Sequence, residues 1–162
     1  MIKKSFFLLF TLTLFTSTIT LAQNYKTGLG VRLGYFNGIT VKHFLSENNA
    51  LEGIASFRWD GFVITGLYEW QKGIAGAPGL DYELGIGGHV GAFDGDNLDW
   101  HDNDPFDDNV TVVGVDLLAG LEYTFAEVPI NLGLDWKPAF NFGRYSRWWG
   151  DGLALSIRYA FK

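Results

Sequence analysis

From Gln23 to the end of the chain, apolar side chains return at every second position in eight stretches separated by turn residues. A period of two belongs to strands with one apolar face, and no stretch keeps the 3.6-residue period of an amphipathic helix. The stretches fall near 25–36, 39–46, 49–59, 62–71, 80–93, 110–125, 130–142 and 152–161. Asn37-Gly38 and Asp60-Gly61 carry the chemistry of two-residue hairpin turns. Ser46–Asn49 and Ala126–Pro129 read as short turns, and Gly73–Gly79 as a looser link. The longest connections are 94–109 and 143–151. Short links between consecutive strands predict an all-β fold, an eight-stranded antiparallel up-and-down β-barrel. Residues 23–162 make one such domain.

The two faces differ in kind. Leu132, Leu134, Trp136 and Phe140 alternate with Asn131, Gly133, Asp135 and Lys137. Leu153, Leu155, Ile157 and Tyr159 alternate with Ser156 and Arg158. Charges obey the same parity: Lys26/Arg32, Glu52/Arg58, Asp81/Glu83, Asp116/Glu122 and Asp135/Lys137 each share a face. Five such agreements by chance would be roughly one in thirty-two under the alternation of strand side chains. The polar face is therefore expected to gather Arg32, Lys42, Glu52, Arg58, Glu69, Asp81, Glu83, Asp116, Glu122, Asp135, Lys137 and Arg158.

A barrel with one apolar and one charged face has two solutions. In water the apolar face turns in and holds an apolar ligand; in lipid it turns out. The polar face is rich in glycine, including Gly28, Gly30, Gly85, Gly87, Gly114, Gly120 and Gly133, which suits a crowded interior better than a solvated surface. Its mixed signs allow the buried charges to pair, as burial requires. Aromatics cluster at the segment ends: Tyr68, Trp70, Tyr82, Tyr123, Phe125, Tyr159 and Phe161 toward one end, Tyr35, Trp59, Phe62, Phe140 and Phe142 toward the other. Rings in two such girdles match the two interfaces of a bilayer. The last strand closes on Tyr159-Ala160-Phe161 before Lys162.

On these features the chain resembles the small eight-stranded outer-membrane β-barrel proteins of the OmpA and OmpX type. It departs from them in ending on Lys162 instead of the aromatic. The resemblance implies a transmembrane barrel in the cell outer membrane, assembled by the barrel assembly machinery and surrounded by outer-membrane lipids and lipopolysaccharide. A monomer is expected. With both termini in the periplasm, 94–109 and 143–151 become external loops.

The first 22 residues fit an export signal. Lys3 and Lys4 precede the apolar run Phe6–Phe15, and Thr20-Leu21-Ala22 offers a small-x-small cleavage site. Cleavage there leaves 10 basic against 18 acidic residues, a net charge of −8. An acidic chain is a poor partner for nucleic acid. With no cysteine, disulfides, thiolate nucleophiles and Cys-ligated metals are excluded.

Chemistry-bearing motifs are few. The stretch 94–109 holds seven aspartates, among them Asp94, Asp96, Asp99, Asp102 and Asp104. Oxygen-rich clusters suit calcium, but the glycine and glutamate of a helix–loop–helix calcium site are missing, so a solvated acidic loop is the plainer expectation. Arg144, Arg147, Trp148 and Trp149 could dock a phosphate-bearing headgroup or a glycan, or could anchor an aromatic girdle. Neither strand histidine, His43 or His89, has a serine two residues away, so no catalytic triad is legible. An interior of eight strands is filled by side chains, which argues against a wide pore. The expectation is a non-enzymatic surface protein without a cofactor. It would act in envelope integrity or bind through its two long loops. The alternatives are a secreted soluble barrel with an apolar ligand and a lipid-modifying outer-membrane enzyme.

Overall fold

Strand pairing closes on itself. In the computed structural model, residues 25–58, 61–94, 109–142 and 147–161 are described. The strands are β1 (Thr27–Gly34), β2 (Asn37–Phe44), β3 (Asn49–Arg58), β4 (Gly61–Gly73), β5 (Leu80–Asp94), β6 (Asn109–Thr124), β7 (Ile130–Trp136), β8 (Ala139–Phe142), β9 (Trp148–Trp149) and β10 (Leu153–Phe161). They pair antiparallel in the order β5-β4-β3-β2-β1-β10-β7-β6, and β5 joins β6 to shut the cylinder. β7 and β8 are halves of one stave, since both meet β6 in a single register. β9 and β10 likewise share the last stave, so the result is a closed eight-stranded barrel with no helix among the described residues. Tyr25 and Phe161 mark its terminal end. The far end carries the turn at 35–36 and the strand ends that flank 59–60, 95–108 and 143–146.

Alternation decides burial, and the charged face is the inside. Along β10, exposed and buried residues strictly alternate from Leu153 to Phe161. Leu29, Val31, Ile86, Leu117, Leu134 and Ile157 face outward with 40–52% exposure, while Lys42, Glu69, Asp116 and Glu122 are 0% exposed within. Outward rings at the strand ends pair two residues apart: Tyr68 with Trp70, Tyr123 with Phe125 and Tyr159 with Phe161 at the terminal end, Phe140 with Phe142 at the far end. His43, also on the outer face, is half-buried, and its Nδ1 lies 2.8 Å from Thr27 Oγ1.

Glycines give the lumen room. A Cβ at Gly114 would meet the His89 ring at 2.6 Å, and one at Gly120 would meet Asp135 Cβ at 2.7 Å and Glu83 Oε1 at 2.8 Å. Large ionic side chains thus lie over glycine on neighbouring strands.

Several sequence expectations shift. Asn37-Gly38 is not the first hairpin turn. Both residues lie in β2, opposite Phe57 and Ser56, and the chain reverses at Tyr35-Phe36. Asn37 instead accepts a hydrogen bond from the Gly34 amide at 3.1 Å through Oδ1. Gly61 is already paired with Arg58, so the second connection is 59–60 and not Asp60-Gly61.

The larger departure is in the last stave. Against β7, β10 pairs Leu153 with Trp136; continued upward, that register would set Ala139 opposite Gly150. Ala139 instead pairs with Trp149. One extra residue has entered the stave, a bulge. It sits beside Pro138, whose carbonyl accepts from the Leu117 amide of β6 at 3.0 Å, while the Lys137 amide donates to the Gly152 carbonyl of the last stave at 3.0 Å. Gly152 approaches so closely that a Cβ there would lie 2.0 Å from the Lys137 carbonyl oxygen. The slip exchanges faces, so Trp149, which unbroken alternation from Leu153 would turn outward, turns in. Pro138, whose parity with outward Trp136 and Phe140 would turn it out, is buried at the same break.

Candidate functional site

The lumen is filled in layers. The terminal-end plug is Tyr25, Phe44, Ala50 and Ala160, with the Tyr25 and Phe44 rings edge-on at 5.1 Å. Above it lies the first ionic cluster. Lys42 stands at its centre, with Nζ at 2.5 Å from Glu83 Oε2, 2.8 Å from Glu122 Oε2 and 2.8 Å from Glu69 Oε2. Arg158 donates to Glu52, to Glu122 at 3.3 Å and to Asn131 at 3.2 Å. Thr40 donates to Glu52, Tyr25 OH to Glu122 at 2.7 Å, and Gln71 to Asp81 at 3.1 Å and Glu122 at 3.3 Å. Two cations, Lys42 and Arg158, therefore face four buried carboxylates, Glu52, Glu69, Glu83 and Glu122.

The second ionic cluster is nearer the far end and is balanced. Arg32 grips Asp135 with both terminal nitrogens, one at 2.6 Å. Lys137 donates to Asp116 at 2.6 Å. His89 bridges Asp116 (Nδ1 to Oδ2, 2.7 Å) and Asn141 (Nε2 to Oδ1, 2.8 Å). Asn141 is oriented by donating from Nδ2 to the Arg147 carbonyl at 3.0 Å. Ile54, Leu67 and Leu118 form a small apolar cluster whose places along β3, β4 and β6 fall between the two ionic groups. Burying charge costs several kcal/mol per ion unless partners replace water, and these contacts are that replacement.

The far end is stoppered by a second apolar cluster of Val63, Phe93, Val110, Val112, Ala139 and Trp149, with Phe36 against it. Trp149 stacks on the His89 ring at 5.5 Å. Beneath it lies a cavity of about 20 Å³ lined by Arg32, Ser56, Thr65, Lys137 and Trp149, among others. That is room for about one water. The buried Thr65 hydroxyl has no protein partner and faces such a space.

Of the expected lumen residues, Arg32, Lys42, Glu52, Glu69, Glu83, Asp116, Glu122, Asp135 and Arg158 are buried inside, Lys137 is largely buried, and Asp81 is half-buried at the terminal end. The Arg58 and Asp94 side chains, together with Asp96, Asp99, Asp102, Asp104 and Arg144, lie outside the described residues. The expected surface group of Arg147, Trp148 and Trp149 is divided: Arg147 and Trp148 are exposed, while Trp149 is 8% exposed within the lumen. Trp149 is therefore corrected from a surface-binding residue to an interior plug. Sequence reasoning missed the plugs, although runs such as Phe62-Val63-Ile64 and Val112-Val113, apolar on both faces, carried the signal. Among the described residues, no three His, Asp or Glu side chains are arranged to hold a metal ion.

Compared with protein families and with curated proteins, the chain matches none.

Proposed function

We propose that this chain is a transmembrane β-barrel of a bacterial outer membrane, of the OmpA and OmpX kind. In this reading 1–22 is its export signal, and it folds through the barrel assembly machinery as a monomer. The carrying observation is the inversion of a soluble protein's faces: Val31, Val41, Leu51, Ile64, Ile86, Leu117, Leu134 and Ile157, one on each stave, are about half exposed, while ionic side chains fill the axis. An apolar surface of that extent is stable in lipid and a hazard in water. The two outward aromatic bands support it, because rings with polar edges favour bilayer interfaces. A lumen packed with paired charge weighs against the alternative of an apolar ligand inside a soluble barrel.

The role that fits is non-enzymatic: envelope integrity, or binding to lipopolysaccharide or another surface partner through the loops at 94–109 and 143–151. Both His89 nitrogens are engaged, by Asp116 and Asn141, with no hydroxyl to activate. A filled lumen supports a structural barrel over a diffusion channel.

Expressed with its leader in a Gram-negative cell, the protein should remain with the outer membrane through an alkaline wash. It should leave only in detergent and migrate differently on gels before and after boiling. In vesicles, Ile86→Arg should destabilise by about 2–4 kcal/mol and Tyr82→Arg, in the girdle, by about 0–1 kcal/mol. Recovery in the soluble periplasm, or equal costs for the two variants, would refute the membrane reading.

A further inference from the structure

The first ionic cluster is short of hydrogen-bond donors. Glu52 Oε2, both Glu69 oxygens, Glu83 Oε1 and Gln71 Oε1 are buried without a donor, and all of these atoms are acceptors. Gln71 is fixed by its donations to Asp81 and Glu122, so its unpartnered carbonyl belongs to the same group. Glu122 is well supplied, receiving bonds from Tyr25, Lys42, Gln71 and Arg158. Glu69 is not: Lys42 Nζ lies 2.8 Å from its Oε2 as an ion pair, but makes its hydrogen bonds to Glu83 and Glu122. The side chains of Glu52 and Glu69 enter the lumen as diagonal neighbours on the paired strands β3 and β4, Glu52 opposite Leu67 and Glu69 opposite Ala50, and both are buried. Two ionised carboxylates offer only acceptors, so a direct bond between such neighbours needs a proton.

We propose that the terminal half of the lumen is a proton-binding site, in which Glu52 and Glu69 share one exchangeable proton as a carboxyl–carboxylate pair. The charged and titratable groups around the pair are Lys42 from β2, Glu83 from β5, Glu122 from β6, Arg158 from β10, Tyr25 ahead of β1, and the mutually paired Arg32 from β1 and Asp135 from β7. Four carboxylates against two cations leave a surplus of negative charge that a buried site does not sustain. Glu52 keeps Arg158 and Thr40 on Oε1, which makes it the ionised member; Glu69, without an aligned donor, carries the proton. Glu69, Glu83 and Glu122 converge on the Lys42 ammonium, which occupies the place a metal ion would take. The pair lies inside the cylinder, so the inference holds in lipid or detergent and stands apart from the membrane reading.

The test is infrared spectroscopy of the full-length chain folded in detergent micelles at neutral pH, in light and heavy water. The expected result is the carbonyl stretch of a protonated carboxylic acid. It should shift in heavy water, persist in Asp81→Asn, and vanish in Glu69→Gln. Glu52→Gln removes the partner and gives a second check if Glu69→Gln does not fold. Absence of the band in the native protein would overturn the proposal in favour of two carboxylates separated by water. Loss of the band on adding sodium or potassium would overturn it in favour of a cation site. Survival of the band in both glutamine variants would place the proton elsewhere and overturn it equally.

Discussion

The two ionic clusters lie in one lumen and solve burial differently. Near the far end each carboxylate has its own cation: Arg32 clasps Asp135, and Lys137 with His89 encloses Asp116. Near the terminal end one ammonium, Lys42, serves Glu69, Glu83 and Glu122 together. The first arrangement is modular, since a pair can be removed as a pair. The second is a hub, and the barrel there depends on a single side chain. The plugs differ as well. Tyr25 closes the terminal end with a hydroxyl wired into the ionic cluster, whereas Trp149 closes the far end by stacking.

Removing the hub should have the largest effect. Lys42→Met leaves three carboxylates around an apolar stem, and uncompensated buried charge of this kind costs about 3–5 kcal/mol. Urea unfolding in vesicles measures it; a loss under about 1 kcal/mol, the scale of an exposed ion pair, would erase the distinction between hub and module. Next comes the far-end plug. Trp149→Ala should cost about 3 kcal/mol as a large buried side chain, against about 0.5 kcal/mol or less for its exposed neighbour Trp148→Ala. Equal losses would mean that the bulge does not turn Trp149 inward. The smallest effect belongs to the module: Arg32→Met combined with Asp135→Leu should be within about 1 kcal/mol of the native barrel, although either change alone costs more. A double-variant penalty as large as that of Lys42→Met would show that the far-end pair is a hub too.

Legibility divides along the same line. The alternation of Leu153 to Phe161 is written in adjacent residues, so strand and face could be read directly, and so could shared charge parity within the strands, though not for Lys26, which lies exposed ahead of β1 while Arg32 is buried. So could the inward place of His89 and the girdles at Tyr159 and Phe140. Partners could not. Arg32 meets Asp135 and Arg158 meets Glu52 across more than 100 residues of chain, and no local pattern encodes those distances. Parity also fails wherever the ladder does. Tyr25, which shares parity with outward Leu29, is turned inward ahead of β1, and Trp149 is reversed by the bulge beside Pro138.

By itself, the sequence determined an alternating eight-stave chain with its charges gathered on one face, because side-chain direction in a strand depends only on position along it. Closure of the cylinder decided the rest. Pairing β1 with β10 and β5 with β6 committed the charged face to the axis and set the register in which each ion finds its counterion. The physical reason is dimensional: parity is a property of one strand, while the neutrality of a buried lumen is a property of all eight staves at once.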